Sequence, residues 1–236
     1  MAVLPTLNEI DAQVLRLLQQ NPSTSAVNSR FPQSLRRYFI NQFQFALPFE
    51  VRIPTLRKLV AATASAQGVI AAPADYLCDA LVFWTNGTLG SSNQSGRLLE
   101  GINIDQYDRQ RQLWNRVQDN SVEPVYVTVK ANDSTGAPEF LVQPLCSGMN
   151  VSNGFYLNYC LKPADVTADG NQMNWMKAYE ANALMAPAAY AARELYSLDA
   201  GGSAEMVAIM DALYRSQVNA IRSKANTLLN FEDSIN

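Results

Sequence analysis

The chain has 236 residues, 48% of them hydrophobic and 17% charged, a balance that fits one generous folded domain or two small ones and excludes a chain dominated by disorder. A formal charge of −3 and a pI near 5.0 exclude global attraction to nucleic acid, which needs a concentrated basic surface, and leave only a local patch open. There is no histidine, so Ser-His and Cys-His nucleophilic sites, most catalytic zinc sites and two-His iron sites are excluded together, and the prior for catalysis falls.

Residues 6–20 open with Thr6 and Glu9 in capping-box spacing, followed by Leu7, Ile10, Val14, Leu17 and Leu18 at helical intervals, and predict an amphipathic helix. After the loop NPSTSAVNSRFP a second helix is expected from Pro32, with Leu35, Tyr38, Phe39 and Phe43 on its apolar side. Arg36 and Arg37 fall on or beside its wet face, either solvated or marking a partner surface. Beyond LPFEVRIP the pattern changes to short runs punctuated by turn residues. Two strands are predicted on either side of a Gly68 turn, then one over LCDALVFW ending at Asn86-Gly87, and one at RLLEGIN. A short helix at IDQYDRQRQLWNR and three further strands at VYVTVKA, EFLVQPL and FYLNYCLK follow.

After Pro163 the pattern turns helical again. QMNWMKAYEANALMAPAAYAARELYSLD predicts an alanine-rich helix kinked at Pro187, and GGSAEMVAIMDALYRSQVNAIRSKANTLL a second one. The buried stripe of the latter is expected at Met206, Ile209, Met210, Leu213, Val218 and Ile221, and Gly201-Gly202 suits a helical hairpin. The tail LLNFEDSIN reads as a frayed end or as a segment that orders on a partner, with Phe231 as anchor. The expected fold class is therefore α+β: a helical bundle from the N- and C-terminal helices (1–54 and 166–236) with an inserted antiparallel β-sandwich-like domain (55–165). Neither hairpin alone buries enough surface to offset chain entropy, so the two ends must meet.

Cys78, Cys146 and Cys160 are odd in number and set among apolar neighbours, which argues against a disulfide framework or zinc site. The sequons at Asn86, Asn93, Asn132 and Asn150 matter only after secretion, and MAVLPTLNEIDAQ lacks a basic start followed by an apolar core, so synthesis in a cytoplasm is expected. No apolar run approaches the roughly 18 residues of a membrane span. Neither GxGxxG nor a P-loop occurs. Asp105 and Asp108, with Arg109 and Arg111 behind them, complement a helix dipole; a carboxylate pair for acid–base or metal chemistry is the other reading. Tyr156, Tyr159, Trp175, Tyr179 and Tyr190 read as core or subunit contact, with stacking on a ligand as the alternative. Arg193, Glu194 and Glu205 read as surface or inter-subunit charges.

The ordered run VIAAPADYLCDALVF, RLLEGINIDQYDRQR, PVYVTVK, FLVQPL, GFYLNYCLKPADVT and YEANALMAPAAYAAREL resembles the head-to-tail adaptor proteins of tailed bacteriophages over about residues 56–229. The resemblance implies a structural virion protein of the neck region, made in the bacterial cytoplasm. Its partners would be the portal protein, the next tail or nozzle component, and its own copies in a ring, twelve-fold in the family, with transient non-specific contact with passing DNA and none with membrane. It implies no catalytic, cofactor or metal residues. The interface candidates are Arg36, Arg37, Arg193, Glu194 and Phe231. The alternative function is a non-catalytic ligand- or glycan-binding β module carried on helices, using Tyr156, Trp175 and the loop SSNQSG.

Overall fold

The computed structural model describes residues 3–18, 30–85, 96–117, 123–146, 149–150, 152–199 and 204–233, with side chains 115–117 and 230–233 excepted. The fold is α+β, with helices at both ends of the chain and the strands between them. Two compact units result: Met1–Leu56 with Lys162–Asn236, and Arg57–Leu161.

The helical unit begins with α1 (Leu7–Leu17), whose capping box forms as its sequence dictates: Thr6 Oγ1 accepts from the Glu9 amide, and Glu9 accepts from the Thr6 amide at 2.7 Å. Its first free amides reach the other end of the chain, Leu7 N–H donating to the Asn171 carbonyl and Asn8 N–H to that of Asp169. Helix α2 (Gln33–Glu50) runs through Pro48, which falls in its last turn, where the Val51 amide still closes on Leu47. The expected helix over 172–199 is two pieces: a 3₁₀ segment (Asn174–Asn182), non-helical at Tyr179, and α4 (Met185–Leu198). Pro187 does not kink α4. It sits in the first turn, where no intrahelical partner awaits its missing N–H.

Helix α4 is the centre of the unit and packs against α1, α2 and α5 (Ala204–Asp233). Its fully buried Ala186, Ala188, Ala189, Ala191 and Ala192 let the neighbouring backbones approach closely. The buried stripe of α5 is Met210, Tyr214, Val218, Ile221 and Ala225; Met206 and Leu213 are only half-buried, and Ile209 is exposed. Side chains stitch the chain ends together. Trp175 Nε1 donates to Gln44 Oε1 at 3.0 Å, Asn41 exchanges two hydrogen bonds with Val166, and Tyr196 donates to the Leu17 carbonyl.

The second unit is a sandwich of two four-stranded sheets. The strands are β1 (Arg57–Ala62), β2 (Val69–Ala71), β3 (Tyr76–Trp84), β4 (Arg97–Leu98), β5 (Glu100–Gly101), β6 (Tyr126–Ala131), β7 (Pro138–Gln143) and β8 (Phe155–Leu161). One sheet runs β1-β8-β3-β4 and the other β2-β7-β6-β5. Phe155, Leu157 and Tyr159 point from β8 into the core, where they join Val82, Trp84, Phe140 and Val142, while Tyr156 and Asn158 take the other face half-buried.

Three expectations are corrected here. The strands flanking Gly68 do not pair: β1 joins β8 and β2 joins β7, so Gly68 turns the chain from one sheet to the other. The RLLEGIN strand is likewise divided at the buried Leu99, β4 and β5 entering different sheets. The sandwich is not purely antiparallel. Strand β5 runs parallel to β6, and helix α3 (Ile104–Val117) makes the crossover that a parallel pair requires, anchored by buried Tyr107. Among the described residues no helix is long and apolar enough to cross a membrane.

Candidate assembly surface

Arg36 overturns the placement of α2. The buried side of that helix is Arg36, Ile40, Phe43, Gln44 and Leu47, and Arg36 is 1% exposed. Its guanidinium grips buried Asp11 of α1 in a two-pronged pair, Nε to Oδ1 at 2.6 Å and Nη2 to Oδ2 at 2.8 Å, while Nη1 donates to the Phe31 carbonyl. It holds two helices together and offers nothing to a partner surface.

The rotation turns other aromatic residues outward. Tyr38, Phe45 and Phe49 follow one another at spacings of seven and four, so they share the face opposite Ile40 and Leu47. Tyr38 is 54% and Phe49 67% exposed; Phe45 is half-buried, with the Lys162 ammonium 5.2 Å from its ring centre. Helix α2 therefore carries large aromatic side chains on its outer side as well, with Asn41 and Gln42 between Tyr38 and Phe45.

At the end of this stripe an open groove of about 450 Å³ runs between Glu50 and the flank of α5, lined there by Asp211, Tyr214, Arg215, Asn219 and Arg222. Tyr214 donates to Glu50 Oε1 at 2.7 Å, and burial, reinforced by that carboxylate, pushes its phenol far above the ordinary value. Arg193 lies over the rings of both Tyr190 and Tyr214, 4.9 and 4.6 Å from their centres, and pairs with Glu194 and Asp211. Its charge is satisfied inside the unit from four sides.

The remaining predicted residues are dispersed. Arg37 is half-buried and pairs with Asp169. Glu205 is exposed in the first turn of α5. The α5 backbone continues through the segment read as a frayed tail to Asp233, but the side chain of Phe231 lies outside the described residues. Trp175 and Tyr156 belong to different units, and Trp175 is committed to Phe43 and Gln44. Asn86, Asn93 and all but the last residue of SSNQSG lie outside the described residues, as do Gly201 and Gly202. Asp105 and Asp108 are exposed on α3, and among the described residues no three acidic or thiol side chains gather as a metal site would require.

Sequence reasoning missed Phe45 and Phe49. The signal was present: Tyr38, Phe45 and Phe49 form a second period-matched stripe, obscured because the sequence reading places Tyr38 on the buried side with Leu35, Phe39 and Phe43. No protein-family model matches the chain, and comparison with curated proteins finds no significant match.

Proposed function

We propose that this chain is a structural virion protein, a head-to-tail adaptor whose copies close into a ring between the portal and the tail around the DNA channel. The observation that carries the reading is the outward aromatic stripe Tyr38, Phe45 and Phe49 on a helical unit already complete on its inner side. Large exposed aromatics aligned on one helix are anchors for another protein surface. A ring demands two different surfaces per subunit, and exposed Leu198 and Ile209 add apolar surface on α4 and α5.

Two further features support the reading. The motif order described above resembles the adaptor family. Helix α5 also carries Arg215, Arg222 and Lys224 with no acid between Asp211 and Glu232, in a chain whose net charge is −3. All three cations are exposed, which suits weak, sequence-independent contact with phosphate backbone. The test is negative-stain microscopy of the purified chain mixed with purified phage portal protein. Rings seated on the portal are expected; monomers that leave the portal bare contradict the reading.

A further inference from the structure

We propose that Cys78 and Cys160 are a dithiol pair that closes to a disulfide between β3 and β8 when a peroxide-class oxidant reaches it. All three cysteines are thiols in this structure. Cys78 and Cys160 are direct cross-strand partners, and the Cys160 thiol donates to the Leu161 carbonyl at 3.8 Å. Residues directly opposed in an antiparallel pair hold their Cβ atoms about 4.5–5.5 Å apart. A disulfide needs about 3.5–4.5 Å, so only a small local approach is required.

The β3–β8 ladder is irregular there. The β3–β8 register shifts on both sides of Cys78, between Tyr76 and Cys78 and again between Cys78 and Leu81, and Asp79 adopts a left-handed φ of 52°. Cys78 thus sits on a short segment flanked by irregularities rather than in a continuous ladder. Across β8 the same row continues to Arg57, the β1 partner of Cys160, whose guanidinium is fixed on Asp79 and Asn158. Its positive charge favours thiolate at both sulfurs, but burial outweighs it, raising Cys78 and pushing Cys160 up to about 12. The pair therefore reacts slowly near neutrality. Cys146, after β7, is the thiol left over.

Cys78 is 8% exposed and Cys160 3%, so Cys78 is attacked first. Its thiolate takes one peroxide oxygen, the O–O bond breaks, and the departing hydroxide becomes water, leaving a sulfenic acid. The Cys160 thiolate then attacks that sulfur, the S–S bond forms, and the expelled hydroxide becomes the second water. Two thiols and one hydrogen peroxide give one disulfide and two waters. The bridge closes most of the Arg57–Leu161 unit into a loop and restricts its unfolded state. The chemistry stands apart from the adaptor reading; only its timing, reduced in the cytoplasm and oxidised in the released particle, rests on it.

The test treats the isolated full chain with excess hydrogen peroxide at about pH 8.5 over hours, because burial keeps both thiols mostly protonated and the reaction slow. Reactive thiols are expected to fall from three to one, with loss of two hydrogens, a non-reduced peptide joining the Cys78 and Cys160 segments, and a higher unfolding temperature reversed by dithiothreitol. In Cys160→Ala, Cys78 is expected to stop at the sulfenic acid and be trapped by dimedone. Three surviving thiols, a bridge through Cys146, or sulfinic acid at Cys78 without a bridge overturns the proposal, and the wild-type result decides it even where the variant does not fold. No ring is needed for this measurement, so failed assembly leaves it standing, and a failed bridge leaves the adaptor reading untouched.

Discussion

At the scale of single residues, the largest consequence attaches to Asp11 and Arg36. Both are buried, so each charge is tolerable only because the other is present. Asp11→Ala leaves an uncompensated buried guanidinium, and urea denaturation is expected to show a loss of about 3–5 kcal/mol. Replacing the pair with Leu and Met is expected to restore most of it, since well-packed apolar groups substitute for buried ion pairs with little cost. Two adjacent arginines on a predicted helix gave no warning of this. The partner lies 25 residues upstream, on another helix, and only the folded arrangement tells which arginine turns inward.

Asp75 makes a pH-dependent contribution of definite sign. It accepts from Lys58 at 2.6 Å and from the Tyr159 hydroxyl at 2.5 Å, and these bonds, Lys58 first, hold its carboxyl below the ordinary range. A depressed folded-state pKa gives stability that is present above the unfolded pKa and lost as pH falls through the folded one. Wild type is therefore expected to exceed Asp75→Asn in unfolding temperature at about pH 7, the gap narrowing as pH falls below the ordinary carboxylate range towards the depressed folded-state pKa. A gap of equal size across that range contradicts the assignment.

At the scale of elements, regular segments with clean periodicity were legible: α1 with its capping box, β6, β7 and β8, and the core alternation Phe155, Leu157, Tyr159. The errors arose where a local signal admits two tertiary outcomes. Pro187 marks a kink inside a helix and is harmless in a first turn, and only the 3₁₀ segment before it decides which. Gly68 marks a hairpin or a passage between sheets with the same φ of 73°. A Cβ at Gly68 would lie 2.6 Å from Leu145 Cδ2 and 2.7 Å from the Val142 carbonyl oxygen. Gly68→Ala therefore combines a left-handed backbone with a clash against main chain, and denaturant unfolding is expected to show a loss above about 1 kcal/mol. Helix α2 illustrates the same limit: its two apolar stripes are both in the sequence, but which one faces inward is set by packing on α1 and α4.

At the scale of the whole molecule, the α+β class and the meeting of the two chain ends follow from a simple shortage. Each terminal pair of helices carries more apolar surface than it can bury by itself, and α4, lined with alanine, is narrow enough to sit between them. The parallel β5–β6 pair was not legible, because two-residue strands carry no periodicity to detect. Of the candidate interface residues, Arg36, Arg37, Arg193 and Glu194 are paired within the unit, whereas the exposed large apolar side chains of α2 are the aromatic Tyr38 and Phe49. Tyr38→Asp with Phe49→Asp is accordingly expected to leave the circular dichroism and unfolding of the chain nearly unchanged while abolishing self-association on the portal.

The most direct measurement is a cryo-electron microscopy reconstruction of the chain bound to its portal. The account predicts a closed ring in which Tyr38, Phe45 and Phe49 of each copy are buried against the next. A ring that leaves this stripe facing solvent, or particles in which the chain forms no ring, would contradict it.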